Sequence, residues 1–490
     1  MNTKAAGRAG VLREIAVRVM GEQGLLAEFS GAAQAQAAAL APPACETGGA
    51  VADLRDKLWV SIDNDDSLDL DQVSVAEPSN GGMVRVFLGI ADVAAMVPRD
   101  SPIDRHAACN TTSVYTAAQI FPMIPERLST QLTSLMQDQD RPALIIELSI
   151  DPQGIVTEST VYQGIVRNRA KLAYDSVAAW LDGRGAIPAP VAAISGMEEQ
   201  LRTQDGLARS LKKLRHAHGG LTLQTSEARP VFESGVLEDL RTDETNRAKN
   251  LIEDLMIAGN TAVARFLNGR QMPSLRRVLP PPERWSDIVA VAAKSGELLP
   301  AAPNAVALNE FLIRRRQADP EHFADLSLTI VKLLGRGEYV AERPGADDSG
   351  HFGLAIRDYT HSTAPNRRFV DLITQRLIKA TLRREASPYT MEELAALAAH
   401  CTAQESCAAK VERAVRKSAA AILLAGRIGQ VFDGMVTGAS AKGTWVRIAA
   451  PATEGKITRG FVGLNVGDRV RVQLIHTDVE RGLIDFMRSN

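Results

Sequence analysis

Residues 61–72 read SIDNDDSLDLDQ and place five aspartates, with no basic residue among them, in twelve positions. The segment continues an apolar run, LWVSID, that predicts a β-strand. Leucines alternate with the last two aspartates, so we expect an extended segment with carboxylates on one face and leucines anchoring the other. Such a concentration of negative charge is costly unless solvent or cations screen it, which favours a cation site over a solvated acidic loop. The five are Asp63, Asp65, Asp66, Asp69 and Asp71.

The ligand types in this segment indicate which cation it suits. Carboxylate oxygens without histidine suit Mg²⁺ or Mn²⁺ rather than Zn²⁺. A calcium-binding EF-hand loop needs Gly at its sixth position and Glu at its twelfth, where this chain has Leu68 and Ser74, so that alternative is rejected. Carboxylates that hold Mg²⁺ are what phosphodiester hydrolysis requires, because the metal activates a water and neutralises the charge developing on oxygen.

A positive partner for this chemistry lies in TAPNRRF, residues 363–369. We expect the extended stretch to end at Pro365 and a helix to begin with Arg367 and Arg368. A helix N-terminus favours phosphate, and an arginine there can stabilise the charge of a pentacovalent transition state. A plain pair of surface arginines is the alternative interpretation.

The order of patterns along the chain predicts its organisation. From about residue 54 strands come first, and helices dominate from 195 to 427, which predicts an α+β domain rather than a doubly wound fold. Residues 1–30 predict one amphipathic helix, which we expect to dock on the next domain. Residues 31–50 are Ala-rich and then contain Pro and Gly, which predicts a helix end followed by a linker. Short alternating strands over 428–490 predict a small closed barrel of the OB type. In DRVRVQLI, for example, the apolar side chains alternate with Arg469, Arg471 and Gln473. The expected domains are 1–50, 54–427 and 428–490.

Composition narrows the classes of protein. The chain has 490 residues, 56 Lys and Arg against 58 Asp and Glu, and 45% hydrophobic residues. This excludes a histone-like polymer binder, but not an enzyme with a local basic channel, since the chain outside the acidic segment is net positive. The four cysteines have no CxxC spacing, charged residues interrupt the N-terminus, and no stretch approaches ~18 apolar residues. We therefore expect reduced thiols, no membrane partner and a cytoplasmic location.

Six segments in order resemble the signatures of the ribonuclease II (RNB) family of processive 3′→5′ exoribonucleases. The 428–490 region is similar to the OB fold of the ribosomal-protein S-one type that ends these enzymes. The resemblance implies an RNB-type catalytic domain in a short form, with a helical N-terminal segment where the family has two cold-shock domains. The segments are SIDNDDSLDLDQ (61–72), VFLGIADVAAMVPRDSPID (86–104), FPMIPERLSTQLTSL (121–135), RNRAKLAYDSVAAWL (167–181), NLIEDLMIAGN (250–260) and HFGLAIRDYTHSTAPNRRFVD (351–371).

The resemblance also implies residue roles at the reaction centre. Asp63, Asp69 and Asp71 fall on the family's metal-binding aspartates, with Asp71 at the position most tied to cleavage. Arg367 falls on the catalytic arginine. Tyr115 falls on the tyrosine that packs near the 3′ end of the RNA.

Further residues are implied, or favoured by their chemistry, as RNA contacts. Tyr174 matches a tyrosine that contacts RNA, with plain core packing as the alternative. Glu253 matches a glutamate that recognises ribose near the 3′ end, with a helix-surface acid as the alternative. We assign Arg368 to RNA binding beside Arg367. Trp445 in the barrel offers a face on which a base can stack.

Two positions depart from the family pattern. Gln72 stands where the family usually has a fourth metal-site aspartate, and an amide is neutral and a weaker ligand. Leu223 aligns with a phenylalanine that stacks on the terminal base. With few stacking side chains the chain should rely more on backbone and ribose contacts, so we expect RNA binding to be unusually salt-sensitive.

The leading hypothesis is a Mg²⁺- or Mn²⁺-dependent exoribonuclease that releases 5′-mononucleotides from single-stranded RNA, in RNA degradation or processing. Contacts to the 2′-hydroxyl would exclude DNA, and the resemblance implies a monomer. The alternative is an RNA-binding adaptor whose nuclease site has lapsed, which Gln72 and Leu223 motivate. A DNA exonuclease is a third, less favoured interpretation.

Overall fold

The computed structural model describes residues 3–224, 227–233, 236–243, 245–320, 322–346, 350–440 and 443–489. Within them the chain forms twelve α-helices and eighteen β-strands. The helices are α1 Thr3–Glu22, α2 Gly31–Ala39, α3 Pro102–Asn110, α4 Tyr174–Leu181, α5 Ala189–Ala193, α6 Met197–Ala217, α7 Arg247–Gly269, α8 Trp285–Lys294, α9 Ala305–Ala318, α10 Phe323–Leu334, α11 Phe369–Arg383 and α12 Met391–Leu424. The strands are β1 Val51–Asp53, β2 Val60–Asp63, β3 Gln72–Pro78, β4 Val84–Ala91, β5 Val114–Tyr115, β6 Ile120–Phe121, β7 Asp140–Ile150, β8 Val156–Arg167, β9 Ala170–Ala173, β10 Glu227–Glu233, β11 Val236–Asp243, β12 Ser274–Val278, β13 Glu338–Glu342, β14 Val431–Ser440, β15 Gly443–Ile448, β16 Thr453–Arg459, β17 Arg469–Asp478 and β18 Leu483–Arg488.

A seven-stranded mixed sheet is the centre of the larger part of the molecule. Its strand order is β1-β8-β7-β4-β3-β2-β9, with antiparallel pairs in the middle and parallel pairs at both edges. Helix α7 crosses the sheet so closely that a Cβ on Gly259 would lie 2.7 Å from a methyl of Leu88. Only glycine permits that approach without displacing a neighbour. This sheet with its helices confirms the predicted α+β class.

The N-terminal segment differs from the single helix predicted over 1–30. Helix α1 ends at Glu22, because Gly24 takes a left-handed backbone conformation with φ of 75°, which a continuous helix cannot contain. A second helix, α2, then begins after Ser30, whose hydroxyl caps it by accepting a hydrogen bond from the Ala33 amide at 3.2 Å. The helix end expected in the Ala-rich part of residues 31–50 is therefore a separate short helix, and the linker follows it.

Helix α1 packs against two elements of the larger part of the molecule. Its buried side chains, including Leu12 and Met20, form one apolar cluster with Phe121 on β6 and Val415 on α12. In the turn between the last two barrel strands, the Glu480 carbonyl accepts a hydrogen bond from the Arg18 guanidinium at 2.9 Å. The helix thus connects the β5–β6 hairpin, α12 and the barrel, as expected of a docked helix.

The C-terminal strands close into a barrel in the order β14-β15-β16-β18-β17. In β17, Val470, Val472 and Leu474 are buried while Arg469 and Arg471 are exposed, which confirms the predicted alternation. Phe432 packs edge-on against Phe486, with 6.1 Å between ring centroids, and belongs to the barrel core. The predicted OB-type barrel is confirmed.

Two further sequence expectations concern the chain as a whole. The four cysteines are free thiols in the structure, as their spacing predicted. Over the described ranges, none of the helices has both the length and the apolar character needed to cross a bilayer.

A substitution in α1 tests how far its docking stabilises the fold. Leu12 is fully buried between the hairpin and α12, so Leu12→Ala leaves a cavity and should lower the free energy of unfolding by about 2–5 kcal/mol. Urea denaturation followed by circular dichroism measures this. Glu14→Ala, at an exposed position of the same helix, is the control and should change stability by no more than about 0.5 kcal/mol. Equal effects of both variants would contradict the docking.

Candidate active site

The acidic segment joins two neighbouring strands of the sheet. Asp63 ends β2, Asp71 directly precedes β3, and the residues between them form a turn and irregular backbone. The prediction that both leucines anchor this segment is half wrong, because Leu70 is fully buried whereas Leu68 is 54% exposed. The backbone is held instead by Ser134, whose hydroxyl accepts from the Leu70 amide at 3.0 Å and donates to the Leu68 carbonyl at 2.7 Å.

The carboxylate of Asp63 is largely buried. Burial, followed by the charge of Asp69, raises the pKa of Asp63 to about 7, against the opposing charge of Arg367. The side chain of Gln72 makes a hydrogen bond with the carboxylate and favours its charged form. The second oxygen, Oδ2, is buried without a hydrogen-bond partner among the described residues. A buried acceptor of this kind is unfavourable unless a ligand satisfies it.

Asp71 is the most deeply buried of the three aspartates. Its Oδ1 accepts a hydrogen bond from the Asn366 amide at 2.9 Å, and its Oδ2 lies 3.4 Å from Nε of Arg367. Burial raises the pKa of Asp71 to about 7, although Arg367 and the amide both oppose the shift. Burial also raises the pKa of Asp69, which shares a hydrogen bond with the side chain of Tyr115.

The arginine loop approaches this cluster from the far end of the sequence. Arg367 lies in a turn and α11 begins only at Phe369, so the prediction that both arginines open a helix is wrong. The reason is a long-range contact: the carbonyl of Arg367 accepts a hydrogen bond from the Ser113 amide at 3.0 Å, outside any helical pattern. The Arg367 side chain stays 44% exposed beside Asp71, where it can reach a bound ligand.

Arg368 has a different environment from its neighbour. Its guanidinium makes two hydrogen bonds of 2.8 Å to the buried carboxylate of Asp371. Such a bidentate pair fixes the loop, and it directs the charge of Arg368 towards the protein interior. RNA binding by Arg368 stays a prediction, but the ion pair indicates that this residue orders the loop instead.

Tyr115 is the third part of the site, on the short strand β5. Its backbone amide donates to Glu412 of α12 at 2.9 Å, and its side chain reaches Asp69. The structure thus brings Tyr115, Arg367 and the three aspartates together, from three regions that are far apart in the sequence.

The other predicted residues lie on separate elements. Tyr174 is the first residue of α4 and packs, partly buried, on the main core. Glu253 is exposed on α7, close enough to Tyr359 for its charge to affect that hydroxyl. Trp445 is half-buried on β15 in the barrel. Leu223 packs against the apolar cluster of α8, α9 and α10.

Several supporting residues were missed by the sequence reasoning. Asn260 on α7 accepts two hydrogen bonds of 2.8 Å, from the amide and the hydroxyl of Ser362, and so ties α7 to the arginine loop. Asn366, Glu412 and Ser134 likewise act through long-range hydrogen bonds. The quoted motifs contain Asn260, Asn366 and Ser134, but no periodicity singles them out.

The cluster suits a hard divalent cation. Among the described residues no three Asp, Glu, His or Cys side chains already converge as a complete ligand set. Mg²⁺ does not require one, because it keeps several waters and uses one or two carboxylates together with substrate phosphates. The unpartnered Oδ2 of Asp63, with two further buried carboxylates beside it, fits such an ion.

Comparison with known proteins places this geometry in a family. The RNB domain matches residues 51–384, and the C-terminal S1 domain of RNase II-type exonucleases matches residues 430–489. Ribonuclease R of Escherichia coli strain K12 is 29% identical over 469 residues, which cover 89% of this chain and 57% of that protein. Ribonuclease R of Aquifex aeolicus is 29% identical over 462 residues, covering 89% and 64%. The chain therefore spans about three fifths of the length of these relatives.

Solved structures share the fold. Mycoplasma genitalium RNase R, in complex with ribose methylated single-stranded RNA, superimposes with a TM-score of 0.87 at 22% identity, over 98% of this chain and 78% of that chain. Yeast Ssd1, described as a pseudonuclease, gives a TM-score of 0.66 at 17% identity, over 87% and 53%. The same fold thus occurs in proteins with and without nuclease activity.

The buried charge of Asp63 has a measurable cost. Because its folded pKa is about 7 and the ordinary value is ~3.9, the folded state binds the proton more tightly, and stability is lost as pH rises through 7. In EDTA, Asp63→Asn should therefore raise the unfolding temperature at pH 8 by about 2–5 °C, for about 1–2 kcal/mol. The gain should shrink towards pH 5, as scanning calorimetry would detect.

The matched control for this experiment is Asp66→Asn, at an exposed position of the same segment. It removes the same charge without removing a buried carboxylate, so its unfolding temperature should follow the wild type at both pH values. A stabilisation by Asp63→Asn that is equal at pH 5 and pH 8 would show that charge burial is not the cause.

Proposed function

Because the chain belongs to the RNB domain family, we propose that it is a 3′→5′ exoribonuclease that hydrolyses single-stranded RNA to 5′-mononucleotides with a divalent cation. The observation that supports this most strongly is the convergence of Asp63, Asp69 and Asp71 with Arg367, about 300 positions away in the sequence. Carboxylates for a metal and a cation for the phosphoryl charge are the parts that the reaction needs.

In this proposal Asp63, Asp69 and Asp71 hold Mg²⁺ or Mn²⁺, and Gln72 orients Asp63 through its hydrogen bond. When bound, the ion supplies an activated water and neutralises charge on the phosphoryl oxygens. Arg367 is half-exposed beside Asp71 and places its guanidinium where the negative charge of the transition state develops. Its backbone is fixed by Ser113, so little reorganisation is needed at that step.

The remaining roles extend the resemblance to residues outside the acidic cluster. Tyr115 lies at the edge of the acidic cluster, where its ring can pack on the terminal nucleoside. Glu253 would recognise a ribose near the 3′ end, which favours RNA over DNA, and Tyr174 would contact the RNA. Trp445 would stack on a base at the barrel. We further propose that the chain is a cytoplasmic monomer, with the domain division at residue 428.

An RNA-binding protein without nuclease activity is the second candidate. Gln72 in the acidic segment favours it, and Ssd1 shows that the fold occurs in a pseudonuclease. The retained aspartates, with their buried and unpartnered oxygen, weigh against it, because a lapsed site has no reason to keep a carboxylate cluster that costs stability.

Replacing the most buried aspartate separates the two candidates. Asp71→Asn keeps the shape of the side chain and the acceptor for the Asn366 amide, but removes the charge that a cation needs. We expect it to abolish hydrolysis while RNA binding is retained. Hydrolysis of 5′-labelled single-stranded RNA, with Mg²⁺ and with EDTA, and filter binding of the same RNA measure the two properties.

Asp66→Asn is the control and should degrade RNA at the wild-type rate. Degradation by Asp71→Asn at that rate would show that the site assignment is wrong. Tight binding by the wild type, without any shortening of the RNA in Mg²⁺, would favour the adaptor.

Arginine 367 gives an independent test of the same site. Arg367→Lys keeps a positive charge but loses the planar guanidinium, which can donate two parallel hydrogen bonds to a phosphate. We expect kcat to fall by about 10²–10³-fold, with a much smaller change in KM, in steady-state hydrolysis of labelled RNA. A loss confined to KM would assign Arg367 to binding instead.

A further inference from the structure

A row of cations lies on α12, outside the acidic site. Residues 410–417 read KVERAVRK and contain four basic residues and one acidic residue. Lys410 and Arg413 are exposed, and Arg416 and Lys417 are partly exposed. Helical spacing places the four on one broad side of the helix, while Val411 and Val415 face α1.

These cations differ from other arginines near the site in having no acidic partner. Arg277 pairs with Glu405, Arg367 with Asp71 and Arg368 with Asp371. In the described part of the chain, no ion pair or hydrogen bond is formed by the side chains of the four cations of the row. Four positive charges within two turns outnumber the single carboxylate of Glu412 and repel one another, so a polyanion would relieve a cost that the folded chain carries.

The row connects the two regions proposed to contact RNA. At one end, Glu412 holds the backbone of Tyr115, whose side chain reaches the acidic cluster. At the other end, Lys417 touches the barrel so closely that a Cβ on Gly482 would lie 2.9 Å from the Cβ of Lys417. The helix rises ~1.5 Å per residue, so the row is about 10 Å long, which is enough for two or three phosphates.

We propose that this row on α12 binds the phosphodiester backbone of the RNA strand between the barrel and the acidic site. The inference rests on the proposed function and deepens it. A lipid surface does not fit, because the apolar face of this part of α12 is already covered by α1 and cannot enter a bilayer. The position of the row, between Tyr115 and the barrel, favours the substrate strand over an acidic protein.

Neutralising the exposed half of the row tests this inference. Lys410→Gln and Arg413→Gln together, in the Asp71→Asn background that prevents hydrolysis, should weaken binding of a 20-nucleotide single-stranded RNA. For two lost phosphate contacts, the slope of log affinity against log salt should fall by about 1.4, and the affinity at 0.15 M NaCl by about tenfold. Fluorescence anisotropy between 0.05 and 0.4 M NaCl measures both.

The matched control is Lys213→Gln with Lys294→Gln, two exposed helical lysines on α6 and α8. It changes the net charge equally and should leave the salt slope as it is in the parent protein. In active protein, the defect of the α12 variant should be larger on a 20-nucleotide RNA than on a trinucleotide, which is too short to reach the row.

The outcomes separate this inference from the proposed function. An unchanged salt slope in the α12 variant, or an equal loss in the control, would show that the row does not bind RNA, even if the wild type degrades RNA. A reduced salt slope confined to the α12 variant would support RNA binding by the row, even if the wild type shows no hydrolysis. Retained RNA affinity with loss of an acidic protein partner would also overturn it.

Discussion

The folded chain must accommodate three aspartate carboxylates at one end of a sheet, where burial removes them from water. Desolvation is the largest influence on the pKa of Asp63, Asp69 and Asp71, and it favours their neutral forms. The neighbouring groups that oppose it are donors or cations, among them the Gln72 amide, the side chain of Tyr115 and the Arg367 guanidinium. The site is therefore a concentration of charge that the protein compensates only in part. A divalent cation can compensate the remaining negative charge.

The same constraint explains how distant parts of the chain are held together. Asn366 donates its amide to Asp71 across 295 positions, and Arg367 accepts from Ser113 in the segment that leads to Tyr115. Glu412 then fixes the amide of Tyr115 to α12. Helix α1 packs against both α12 and the β5–β6 hairpin, which carries Tyr115. The N-terminal helix therefore supports this part of the site without contributing a reacting group. Its buried face is part of the site's support, and a cavity there would loosen the hairpin.

The structural features that could be predicted from the sequence are those that a local repeating pattern specifies. The acidic segment and the alternation in β17 are dense patterns, and both lead to the correct elements. The break at Gly24 depends on one backbone conformation, and the start of α11 at Phe369 depends on one distant donor, the Ser113 amide. Helical periodicity alone therefore extends both helices too far. Leu68 is exposed although it alternates correctly, because Ser134 holds the backbone there. A hydrogen bond between two residues that are distant in the sequence produces no periodic pattern, so helix and strand periodicity does not reveal it.

The near-zero net charge of −2 conceals two opposed local fields. The acidic segment repels a phosphate backbone, whereas the cations of α12, one turn from the residue that holds Tyr115, attract it. Screening confines each field to about 8–10 Å at physiological salt, which is comparable to the length of the row. A strand held by α12 would therefore approach the aspartates against their repulsion, unless cations already neutralise them. In the proposed enzyme, the divalent ion would thus permit entry of the scissile phosphate as well as its hydrolysis.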